Sequence, residues 1–140
     1  MLRRQFVYRM ITFLTGVIGL GFSAKKFALG EAEKIEIAIN DYPELTKVGG
    51  SKLIKDIEIG SQTDNIIIVR KKEDEFVVFS AICRHKKCNV KYKNEKSLFV
   101  CPCHGSTYDM EGKVQKGPST TDIPKYKFER KGDKLIIYAQ

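Results

Sequence analysis

CRHKKC, Cys83–Cys88, and CPCHGSTYDMEGKVQKGPSTTDIPKY, Cys101–Tyr126, are the two stretches on which the reading of this chain turns. All four cysteines and both histidines of the chain lie between Cys83 and His104. Cys83 stands two residues before His85, and Cys101 three before His104, so two short loops can close on one compact centre from opposite sides. Clustered Cys and His at such spacings mean a metal site, a disulfide staple, or both. Two thiolates with two imidazoles suit a tetrahedral zinc, or an iron-sulfur cluster in which one iron takes sulfur and the other nitrogen.

Around these boxes the chain is short. Its 140 residues, 42% of them hydrophobic, amount to one domain with an appendage and exclude a large multi-site enzyme. The net charge of +8 is concentrated at the front: Arg3, Arg4, Arg9, Lys25 and Lys26 precede every acidic residue. From Glu31 onward 20 basic residues face 17 acidic ones, an ordinary solvated surface. No recognition motif accompanies the charge, so no nucleic-acid partner is expected.

The N-terminal segment reads as a membrane anchor. Met10 to Ala24 is uncharged, giving about 22 Å of helix against a hydrocarbon core of roughly 30 Å. Counting back to Phe6 gives about 28 Å, provided Arg9 reaches the interface. Arg3-Arg4-Gln5-Phe6-Val7 resembles the twin-arginine export signal. The expectation is a twin-arginine signal and retained single transmembrane helix with a short tether over residues 1–30, followed by a soluble domain over 31–140.

That domain reads as all-β. Apolar or alternating runs at Lys34–Ile39, Leu53–Ile59, Asn65–Arg70, Phe76–Ala81, Leu98–Cys101 and Leu135–Tyr138 predict strands. Gly60–Asp64 and Lys131–Asp133 read as hairpin loops, and Lys71–Glu75 as a charged connector. No stretch after Phe27 has the period of an amphipathic helix.

The residues that follow the second box resolve the metal. Ser106-Thr107-Tyr108-Asp109, then Gly112-Lys113-Val114 and Gly117-Pro118, resemble the Rieske iron-sulfur family, in particular the Rieske subunit of cytochrome bc-type quinol:cytochrome c reductase complexes. The likeness is specific over residues 81–126. It implies a Rieske fold of antiparallel sheets with a small cluster-binding part at about 81–122. It also implies a 2Fe-2S cluster with Cys83 and Cys101 on the inner iron, His85 and His104 on the outer iron, and a Cys88–Cys103 disulfide. Ser106 and Tyr108 resemble the hydroxyl pair that donates to a bridging sulfide and to the Cys83 sulfur; such donors stabilise the more negative, reduced state. Gly117-Pro118 would be the loop that shields the cluster.

The resemblance further implies a function. Soluble Rieske ferredoxins and ring-hydroxylating oxygenases lack the second cysteine pair, so Cys88 and Cys103 point to an oxidising compartment, which agrees with export. The chain would pass single electrons from quinol, at a cytochrome b-type subunit, to a c-type or other cytochrome, with the domain outside the cytoplasmic membrane. His104 would contact the quinol and couple proton to electron. The alternatives are the small Rieske subunit of an arsenite-oxidase-like molybdenum enzyme and, in another class, a structural zinc domain. One departure stands out: Arg84, Lys86 and Lys87 occupy positions where the quinol-oxidising family usually has Thr, Leu and Gly.

Overall fold

The computed structural model describes residues 33–140. The anchor and signal expected over residues 1–30 lie outside them. Among the described residues no helix is long and apolar enough to cross a membrane. Ten strands and three single 3-10 turns follow one another: β1 Lys34–Ala38, β2 Ser51–Ile59, β3 Gln62–Arg70, β4 Phe76–Ser80, β5 Lys91–Lys93, β6 Leu98–Val100, β7 Thr107–Tyr108, β8 Val114–Lys116, β9 Phe128–Lys131 and β10 Lys134–Tyr138. They form three sheets, ordered β1-β10-β9, β2-β3-β4 and β5-β6-β7-β8, with every pairing antiparallel.

The hairpin β3–β4 is the wall between two cores. Its side chains alternate faces with period two. Ile66, Ile68, Phe76 and Val78 join Ile37, Leu45, Leu135 and Ile137 on one side. Ile67, Val69, Val77 and Phe79 join Val90, Phe99, Ile123 and the two free cysteines on the other. Burial on both faces explains why Asn65–Arg70 reads as a continuous apolar run rather than an alternating one. Phe79 meets Phe99 edge-on, ring centroids 5.1 Å apart, and so pins the small sheet to this wall.

Each expected strand is present, extended or trimmed by a residue or more. Two readings need correction. The loop expected over Gly60–Asp64 shrinks to Gly60-Ser61, because β3 already begins at Gln62 and Asp64 pairs with Ile57. Strands β5, β7, β8 and β9 carried no signal: they are two to four residues long and mostly charged or polar, held by pairing with neighbours rather than by an apolar face of their own.

Candidate metal centre

The two boxes fold into the same turn. In the first, the Cys83 N–H donates to the Cys88 carbonyl at 2.8 Å and the Lys87 N–H to the Cys83 carbonyl at 2.9 Å. In the second, the Cys101 N–H donates to the Ser106 carbonyl at 2.8 Å and the Gly105 N–H to the Cys101 carbonyl at 3.0 Å. The fifth residue of each turn takes the left-handed conformation, φ 59° at Lys87 and 78° at Gly105. Each loop leaves a strand or bridge of the second core: Ile82 pairs with Asn89 beneath the first, and β6 leads straight into the second.

This shared turn points the leading cysteine inward and the histidine outward. Cys83 and Cys101 are free thiols, 0% and 1% exposed. His85 and His104 are exposed, and their rings stand edge-to-face with centroids 4.7 Å apart. Cys88 and Cys103 form a disulfide that ties the loops together. The sulfurs of Cys88, Cys101 and Cys103 lie within 4.8 Å of one another, but the disulfide uses two of the three as ligands for each other. Two buried sulfurs below two outward imidazoles is a donor set that fits a cluster with a sulfur-ligated inner iron and a nitrogen-ligated outer one.

Hydroxyl groups surround the inner end. Tyr108, fully buried, brings its hydroxyl 3.2 Å from Cys83 Sγ. Burial pushes the Cys83 thiol up, but the Tyr108 hydroxyl, the His85 backbone, Cys101 and the Lys86 backbone outweigh it and leave Cys83 below the ordinary thiol range. Burial, with Cys83 alongside, raises Cys101. Burial and the Cys83 contact likewise raise Tyr108. Either atom can donate in this contact; a Cys83 thiolate bound to iron would have no proton to give, and Tyr108 would then be the donor. Ser106, 0% exposed, accepts the Ser119 N–H at its Oγ, 2.9 Å, which leaves the hydroxyl proton free for a further acceptor. That bond also holds the chain just after the cis Gly117-Pro118 bond against the second box.

A second polar group escaped the sequence reading. Asp64, on β3, accepts from Tyr126 Oη at 2.5 Å, from Ser80 Oγ at 3.0 Å and from the Asn65 N–H at 2.8 Å. Burial and this carboxylate push the Tyr126 hydroxyl far up. Next door, the Asn65 side chain donates to Asn89 Oδ1 at 2.9 Å, reaching the residue after Cys88. An acidic residue in a turn-like stretch gives no hint of this, since its partners come from positions 16 and 62 residues away.

A family profile for the Rieske 2Fe-2S domain matches residues 29–127. The chain is 28% identical over 139 residues to the cytochrome b6-f complex iron-sulfur subunit of Chlorobaculum thiosulfatiphilum, covering 96% of this chain and 74% of that one. It is 30% identical over 123 residues to a cytochrome b6-f complex iron-sulfur subunit of Trichormus variabilis, covering 88% and 65%. The mitochondrial cytochrome b-c1 Rieske subunit of Gallus gallus is 29% identical, over 86% of this chain and 50% of its own length. Among solved structures, a cyanobacterial plasma membrane Rieske protein from Synechocystis PCC 6803 superposes with a TM-score of 0.50 at 31% identity, over 54% of this chain and 78% of that one. The ferredoxin of carbazole 1,9a-dioxygenase from Nocardioides aromaticivorans shares the fold, TM-score 0.59, at 15% identity over 77% and 99%. With its two loop-borne Cys and His pairs, its disulfide and this match over most of its length, the chain belongs to the Rieske 2Fe-2S domain family.

Proposed function

We propose that this chain is the electron-carrying subunit of a quinol-oxidising cytochrome bc-type complex, in which Cys83 and Cys101 hold the inner iron and His85 and His104 the outer. The observation that carries the reading is the pair of turns with one hydrogen-bond pattern, thiols buried and imidazoles exposed, joined by the Cys88–Cys103 disulfide. When bound, the 2Fe-2S cluster supplies reversible one-electron uptake at a potential raised by its neutral imidazole ligands. With the cluster held, Tyr108 would donate to the Cys83 sulfur and Ser106 would offer its hydroxyl to the cluster, both favouring the more negative state. Exposed His104 contacts quinol and holds or moves the proton at its imidazole. The Gly117-Pro118 segment, tied to Ser106 through Ser119, keeps water from the sulfurs. The disulfide supports an oxidising compartment for the domain. Residues 1–30 serve as export signal, anchor and tether, with the domain at 31–140 outside the cytoplasmic membrane.

Purification of the full chain from its own membranes tests this. The expected result is co-purification of a cytochrome b-type subunit, together with quinol-dependent reduction of a cytochrome. A molybdenum subunit in its place would overturn the quinol assignment, and a colourless zinc-loaded protein would overturn the electron-transfer assignment altogether.

A further inference from the structure

The stretch of chain that carries the two boxes has charge of nearly one sign. Between Ala81 and Ser106 stand Arg84, Lys86, Lys87, Lys91, Lys93 and Lys96, against the single acid Glu95. All six cations are exposed. The rest of residues 31–140 holds 14 basic and 16 acidic residues, so the positive excess lies in this stretch, and three of its cations, Arg84, Lys86 and Lys87, stand in the first box on either side of His85. The ion pairs follow the same division: all eight among the described residues lie outside this stretch, including Lys113–Asp122, Lys125–Glu111 and Arg130–Asp74.

Lys87 adds a second, independent observation. The two loops are copies of one turn, and the left-handed position is filled by Gly105 in one and by Lys87 in the other. A Cβ at Gly105 would meet nothing within 4 Å, so the turn itself asks only for the backbone conformation. Glycine adopts that conformation freely and lysine does so under strain. The first loop therefore keeps a charged side chain beside His85 against its own backbone preference, and strain retained at a site points to a use for it.

We propose that the first box, around the exposed His85, is a cationic docking face for an acidic surface on the protein that accepts the electron. The proposal rests on the reading that electrons leave through the exposed imidazoles. Arg84, Lys86 and Lys87 flank His85 at that exit, so an acidic partner would be drawn in with its own redox centre facing the imidazoles. A lipid surface seated on the same patch would cover the exit instead. Electrostatic complementarity of this kind raises the rate of encounter and sets orientation more than it raises final affinity, and it fades as salt screens it.

The full chain carrying its cluster is titrated with a dye-labelled peptide of ten glutamates, read by fluorescence anisotropy. Separately, the reduced cluster is mixed with ferricyanide, an anion, and with tris(phenanthroline)cobalt(III), a cation; each takes one electron from the cluster. The peptide should bind at low salt and be released near 0.5 M, where the screening length is only about 4 Å. Ferricyanide oxidation should slow with salt, and oxidation by the cobalt cation should quicken. Arg84→Gln/Lys86→Gln/Lys87→Gln should lose about tenfold in both peptide affinity and ferricyanide rate, while Lys134→Gln, a paired lysine of β10, should lose neither. Lys87→Gly, which copies the backbone of Gly105, should weaken peptide binding while its Tm holds or rises. Salt-independent rates, equal losses in Lys134→Gln, a lower Tm in Lys87→Gly, or binding to vesicles of anionic phosphatidylglycerol without binding to the peptide would each overturn the proposal. Peptide binding is read without the cluster's chemistry, and co-purifying subunits are read without the peptide, so failure of this inference and failure of the quinol assignment are separable.

Discussion

Tyr108→Phe removes one hydroxyl from the buried end of the centre and nothing else. The phenol oxygen lies 3.2 Å from Cys83 Sγ, both residues are 0% exposed, and the ring packs in the second core, where Phe fits the same space. A hydrogen bond to a charged acceptor is worth about 1.5–3 kcal/mol and one to a weakly charged acceptor about 0.5–1.5. Adding an electron makes the sulfur more negative, so the bond strengthens on reduction by about 1 kcal/mol. For one electron, about 1.4 kcal/mol corresponds to about 59 mV, which sets the expected loss at about 40 mV. The sign follows from the donor: without it the reduced state is less stabilised and the midpoint potential falls. Redox titration of the purified variant, followed by the visible spectrum, measures this directly. A fully loaded Tyr108→Phe whose potential is unchanged or higher would refute the assignment of Tyr108 as donor to the cluster's sulfur.

Three further perturbations separate the roles of neighbouring groups. Ser106→Ala should also lower the potential with the cluster retained, and it should lower Tm as well, because the Ser119 N–H loses its acceptor at a cost of about 1–3 kcal/mol; redox titration and thermal melting read the two effects. Cys88→Ser should assemble a cluster and then lose it faster, since the disulfide ties the loops but neither of its sulfurs is free; iron-free Cys88→Ser beside loaded Cys83→Ser would mean that staple and ligand are interchanged. Asp64→Ala should lower stability by about 1–3 kcal/mol for each buried hydroxyl it orphans, those of Tyr126 and Ser80, with the spectrum of the centre unaltered; an unchanged Tm would show that water replaces the carboxylate.

Much of the site was legible in the order of residues because its chemistry is local. Cys and His two or three positions apart must share a loop, and Ser106 and Tyr108 follow the second box closely enough to lie beneath it. The apolar runs that became β1, β3, β4 and β10 were equally legible, since burial on one face or two imposes its own period on a strand. The pairing of loops was not local. That the two boxes are copies of one turn, that Lys87 stands where Gly105 stands, and that Ser119 is tied to Ser106 depend on φ angles and hydrogen bonds set by the packed sheets. Short strands such as Thr107–Tyr108 exist only because β6 and β8 supply their partners. The Asp64 group is the clearest case: its donors come from β4 and from a segment 62 residues on, and only the closing of the β3–β4 wall brings them to one carboxylate. Residue types at short spacing marked a metal centre and the family resemblance said which one, whereas the fold decided which groups surround it, because hydrogen bonds and charge act over a few ångströms of space whatever the distance along the chain.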